Sequence, residues 1–231
     1  MMKKILLLLL TSYFLFANSL PQRIETTIKS IDNNGNIQLA TSVPEGMSGI
    51  IVHSYGNGLS AITHSLITTK NSFATITPYT AILHENIPTV QTDAKENDKV
   101  ILGVFYDNAL LIAPDARSYS SITKTLQKTW IHPDAYALKF MAQKEKEISK
   151  KSLNTFAKEN QVGLILIVSK DKILILDPIS QHFLGSLPLN VSVSKVVNPF
   201  FSRFEQVNVS TFNFSDIKLI DYYQAVENIY K

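Results

Sequence analysis

The chain has 231 residues, 45% of them apolar and 18% charged, a formal net charge of +3 and no cysteine. That is enough apolar material for one good core or two small ones. The missing cysteines exclude a disulfide framework, thiolate metal sites and a cysteine nucleophile, and no lipid anchor of the bacterial lipoprotein type is expected.

Lys3 and Lys4 precede Ile5 to Phe16, a run that is apolar except for Thr11, Ser12 and Tyr13, and the small Ala17 and Ser19 follow. This order predicts a secretory signal peptide over residues 1–19, cleaved after Ala17 or Ser19. The apolar run is short of the ~20 residues that a bilayer span needs. Loss of Lys3 and Lys4 with the leader takes the formal charge from +3 to +1. So weak a charge argues against nucleic acid and anionic lipid as partners. Export to the periplasm or the cell surface puts the chain where ATP and NAD are scarce, and no cofactor is expected.

Residues 20–106 read as short strands. Ile24 to Ile31 alternates, Asn33-Asn34-Gly35-Asn36 turns, and Ile37 to Ala40 pairs back. Gly49 to Ser54, Leu59 to Thr69, Phe73 to Thr77 and Lys99 to Phe105 complete a small antiparallel β-barrel. Its expected core is Ile24, Ile28, Ile37, Ile51, Ile62, Phe73, Ile76 and Ile101. Thr80 to Asn97 is a long polar loop.

Residues 107–204 change texture to a compact α/β unit, so the fold class is α+β with two packed subdomains. Ala109 to Ala113 is a strand buried on both faces. Ser118 to Lys128 is a helix with Ile122, Leu126 and Tyr119 inward, and Trp130 and Ile131 end a helix-to-helix crossing. Pro133 begins the next helix, capped by His132 or Asp134, with Tyr136, Phe140 and Met141 as its stripe. That stripe fades into a charged run from Lys144 to Lys151, a solvated helix end laced with ion pairs or, alternatively, a lysine-presenting patch. Ser152 caps a helix through Lys158 that packs Leu153, Phe156 and Ala157. Leu164 to Val168, Ile173 to Leu176 and His182 to Leu187 form a meander. The expected core comprises Leu110, Ile112, Ile122, Leu126, Trp130, Phe140, Phe156, Leu164, Leu166, Ile173 and Ile175. In the segment 205–231, Leu219, Tyr223, Val226 and Tyr230 recur at helical spacing, which predicts an amphipathic helix from about Asp216.

Candidate chemistry is sparse. Gly56-x-Gly58-x-x-Ala61 sits in a hairpin with no helix after it, so it is a turn and not a dinucleotide cradle. His53 and His64 could meet across that hairpin, but two imidazoles on a strand pair are more often incidental than ligands, and no metal is expected. Ser48 has neither an elbow motif nor an evident base. The Asn-x-Ser matches at Asn190, Asn208 and Asn213 suit loop composition. An enzyme is not expected.

Asp107-Asn-Ala-Leu-Leu-Ile-Ala-Pro-Asp115, Trp130-Ile-His-Pro-Asp134 with Tyr136, Val162-Gly163-Leu164 and Pro199-Phe-Phe-Ser-Arg203 are spaced blocks, joined upstream by Ser48-Gly-Ile-Ile-Val-His53 and Ala61-Ile-Thr. Together they resemble the N-terminal region of PgbA-type plasminogen-binding proteins of epsilonproteobacteria, from about Ile24 to Phe204. The resemblance implies a non-enzymatic protein-binding module with plasminogen as partner, reached through kringle domains. A kringle pocket meets an ammonium with an acidic pair and flanks its stem with aromatics, and a terminal lysine adds a free carboxylate. Lys231 is therefore the first candidate contact, with Lys144, Lys146, Lys150 and Lys151 after it. The alternative is an envelope partner within the periplasm, because the build also resembles structural parts of the flagellar basal body and the Tol system.

Overall fold

Residues 20–80, 92–204 and 219–231 are described by the computed structural model. The signal peptide over 1–19, Asn208 and Asn213 lie outside them, as do residues 81–91 of the polar loop. Six strands close into an antiparallel barrel in the order β1-β2-β5-β4-β3-β6, built from β1 (Ile24–Ile31), β2 (Ile37–Leu39), β3 (Ser48–Gly56), β4 (Leu59–Thr68), β5 (Phe73–Pro78) and β6 (Lys99–Leu102). Closure leaves these strands without an unpaired edge. At the β3–β4 turn Gly56, Asn57 and Gly58 all have positive φ, as a tight hairpin requires.

β7 (Asn108–Ile112), β8 (Thr129–Ile131), β9 (Leu164–Val168), β10 (Lys172–Asp177) and β11 (His182–Pro188) form a second sheet in the order β11-β10-β9-β7-β8. β7 is parallel to β8 and β9, whereas β9, β10 and β11 run antiparallel as the expected meander. α1 (Ala116–Thr125), α2 (Pro133–Ala142), α3 (Lys150–Asn160) and α4 (Tyr222–Tyr230) connect and cover it.

The sheet is the middle layer. Ala109, Leu111, Leu164, Leu166, Ile173 and Ile175 face the barrel and α1, in one core with Ile28, Ile37, Ile51 and Ile122. Leu110, Ile112, Ile165, Ile167, Leu174 and Leu176 face the opposite way, against Tyr136, Phe140, Phe156, Tyr222, Val226 and Ile229 of the helices. Each buried Leu, Ile, Val or Phe taken from water stabilises the fold by about 1.5–3 kcal/mol, so the double-sided strands β7 and β9 are its spine.

Several expectations need correction. Trp130 and Ile131 form the edge strand β8, because β7 offers a free parallel edge; Trp130 is only half-buried, its Nε1 donating to Leu126 O at 3.2 Å. Phe73 is exposed, and in β6 the inward residues are Val100 and Leu102, with Ile101 only part-buried, since the barrel register fixes the alternation one position away. α3 begins three residues earlier than expected: Ser149 is its cap, and Ser152 is the other half of a reciprocal capping box. α4 buries Tyr222, Ala225, Val226 and Ile229, whereas Leu219 and Tyr230 are exposed, a rotation of the predicted stripe. The run from Lys144 to Ser149 is not a helix end. α2 stops at Ala142, Lys144 takes a left-handed φ of 53°, and the run is the connection from α2 to α3.

A candidate partner-binding face

The connection between α2 and α3 is held at defined points. Glu145 N donates to Phe140 O at 3.1 Å, and the buried Ile148 pins the segment to the helical core. The Glu145 carboxyl is part-buried; burial raises its pKa, against a lowering hydrogen bond from Ser152. The box at Ser149 and Ser152 then starts α3, which places Lys150 and Lys151 in its first turn with no acidic residue beside them. The amide dipoles disfavour cations there by about 0.3–1 kcal/mol each, so these lysines are placed against local preference.

α4 lies beside this connection. Asp221 caps it by accepting from Tyr223 N and Gln224 N, and the buried Tyr222 hydroxyl donates toward Ile112 O and Val168 O at 3.1 and 2.7 Å. Ile220 N donates to Lys146 O at 3.1 Å, and Asn228 Nδ2 donates to Glu147 Oε2 at 2.9 Å. A shallow depression of about 260 Å³ results, floored by Ile148 and Ile229 and rimmed by Glu147, Lys150, Asn228 and Lys231.

Beyond it the face continues with paired aromatics and lysines. Lys150 Nζ sits 5.2 Å from the Phe183 ring centroid and Lys172 Nζ 4.8 Å from that of Tyr230, and the two rings meet edge to face at 5.2 Å. Such contacts hold an ammonium near a ring while leaving it wet. Lys170 instead pairs with Glu227 at 2.9 Å, which raises its pKa and lowers that of Glu227.

The tertiary fold thus brings Lys150 and Lys231 to one depression. Lys144, Lys146 and Lys151 are exposed and do not line it. Among the described residues none of these five lysines takes part in an ion pair. Glu147, Lys172, Phe183, Asn228 and Tyr230 were not among the candidates, because they come from four separate segments and share no sequence spacing. His53 spends its Nδ1 on Asp98 at 2.6 Å, and His64 its own on Thr63.

The spaced blocks have a structural meaning too. The His132 ring, whose pKa burial lowers, accepts from Asp134 N at 3.2 Å and caps α2. Asp134 in turn accepts from Arg203 N and Nε at 2.7 and 2.6 Å. Phe200 stacks on Tyr136 and Phe201 packs on Tyr119, so the blocks around Trp130 and Pro199 are one packed unit. Gly163 allows close approach: a Cβ there would collide with the Phe105 carbonyl.

A barrel fused to an α/β sheet, with lysines and aromatics gathered where its last helix ends, defines the class: an α+β protein with a basic-aromatic face. The chain belongs to the family described as Plasminogen-binding protein pgbA N-terminal, which matches residues 23–229. It is 28% identical over 151 residues to Plasminogen-binding protein PgbA of Helicobacter pylori (strain J99 / ATCC 700824), a match covering 63% of this chain and 33% of that protein. PgbA of Helicobacter pylori (strain ATCC 700392 / 26695) matches at 28% over 151 residues, covering 63% and 32%. The chain spans about a third of the length of these curated relatives. No solved structure matches it.

Proposed function

We propose that this chain is a non-enzymatic protein-binding module of the cell envelope and that its partner is plasminogen, held through lysines on the face around α4. The supporting observation is the convergence of Lys150 and Lys231 on one depression beside the Phe183–Tyr230 ring pair. A kringle pocket, with acids for the ammonium and aromatics for its stem, is complementary to such a face. The names of the curated relatives agree with this partner. Lys144, Lys146 and Lys151 stand close in sequence and are exposed outside the depression. In this proposal the barrel within 20–106, the α/β unit (107–204) and α4 within 205–231 act together, and a signal peptide over 1–19 delivers the chain to the envelope. Among the described residues no helix is long and apolar enough to cross a membrane.

The test is binding of the purified chain to immobilised plasminogen, with and without 6-aminohexanoate, together with protease shaving of intact cells. Binding that the lysine analogue abolishes, by a protein that shaving removes, supports the reading. Absence of binding, with protection from the protease, leaves the chain as a structural part of the periplasm.

A further inference from the structure

We propose that the element this face offers to a lysine-binding pocket is composite, its ammonium from Lys150 and its carboxylate from Glu147. The inference rests on the plasminogen reading and names the contact within it. A pocket built for lysine needs a positive and a negative group set one side chain apart, and it does not need both to come from one residue.

Glu147 and Lys150 are three residues apart on a bend that leads into α3, and both rim the same depression. Among the described residues neither is in an ion pair, so the two charges are not neutralised by a direct contact. Both are positioned. Asn228 holds the Glu147 carboxylate, the Phe183 ring sits against Lys150, and the backbone between them is fixed by Ile148 in the core and by Ser149 at the cap. Preorganisation of this kind reduces the ordering cost that flexible lysines would carry into a complex. The other acid nearby, Glu145, does not line the depression. Lys150 also sits at a helix start that disfavours it, and such local conflicts collect at functional positions. Exposed Tyr230, beside Phe183, is placed to meet the aromatic wall of the pocket. This contact does not depend on a free carboxylate at Lys231.

The experiment measures Kd for plasminogen and for an isolated lysine-binding kringle, using the intact chain and its Glu147→Gln, Lys150→Gln and Lys231→Gln variants. Glu147→Gln keeps an oxygen for Asn228 and removes only the charge. Glu147→Gln and Lys150→Gln are each expected to weaken binding about tenfold, the double variant little more than the worse single one, and Lys231→Gln less than about threefold. Unchanged unfolding midpoints establish that each variant is folded. If the intact chain binds in competition with 6-aminohexanoate and neither Glu147→Gln nor Lys150→Gln changes Kd, the composite contact is wrong while the plasminogen reading stands. If the intact chain does not bind, both fall.

Discussion

Asp177 on β10 and Ser48 on β3 are bonded twice across the joint between sheet and barrel, Asp177 Oδ2 accepting from the Ser48 amide at 2.8 Å and from its hydroxyl at 2.7 Å. The same oxygen accepts from the Tyr106 hydroxyl at 2.7 Å, while Oδ1 takes Ile179 N and Ser180 N at 2.9 and 3.0 Å. Asp177 is fully buried, so five donors replace the water it gives up. Asp177→Ala strands those donors and is expected to cost about 3 kcal/mol or more, read as a fall in the urea midpoint. Tyr106→Phe, which removes one donor, should cost about 1–2 kcal/mol. An Asp177→Ala variant as stable as the parent would mean that the joint contributes nothing.

Acid stability follows from Asp115, which caps α1 and ties it to the segment at Ser194. Burial pushes its carboxyl up, but hydrogen bonds from Ser118 and Ser194 outweigh this and bring the pKa down to about 2, from the ordinary 3.8. A depressed folded pKa contributes stability that is complete above the unfolded value and is lost as pH falls through the folded one. Stability should therefore decline between roughly pH 4 and pH 2. Asp115→Asn should flatten that part of the profile, and denaturation midpoints at several acid pH values measure it.

Half-burial of Trp130 sets a smaller effect than a core tryptophan would have. Trp130→Ala removes part of the packing against the barrel-side core and the bond to Leu126 O, for an expected loss of about 2 kcal/mol. Phe156→Ala, at a position almost wholly buried, should cost about 3–5 kcal/mol. Thermal or urea unfolding of the two variants side by side decides whether this order holds.

Docking of α4 depends on Tyr222. Tyr222→Phe leaves the shape but loses the donor to Ile112 O and Val168 O, and a cost of about 1–2 kcal/mol is expected. Hydrogen exchange should then quicken in residues 222–230 before it does in β9. Equal protection in the variant and the parent would place the anchoring of α4 in its apolar face alone.

Residues outside the described region carry a sequence prediction of their own. If residues 1–19 are a signal peptide, the native protein begins at Asn18 or Leu20, and mass spectrometry of material from the producing cell shows whether Met1 has been retained.

Local patterns in the sequence determined most of the elements. Alternation with Asn-Gly and Gly-Asn-Gly turns marked the barrel strands, and continuous apolar runs marked β7, β9 and β10, because side-chain period and turn chemistry are properties of a few neighbouring residues. Pro133 and His132 likewise announced the start of α2. Tertiary structure alone decided the rest. β8 is three residues long and exists because β7 has a free edge, and no periodicity of its own foretold it. The phase of β6 and the buried side of α4 depend on what each is packed against, so both were read one step out of register. Charge spacing from Lys144 to Lys151 suits a helix, yet the helix stops at Ala142 and the chain bends there with Ile148 buried. Composition showed that lysines were available, but Lys150 and Lys172 meet Phe183 and Tyr230, and Lys231 shares a depression with Glu147, only once α3, β10, β11 and α4 are brought together, because contacts between distant segments are set by packing and have no period to read.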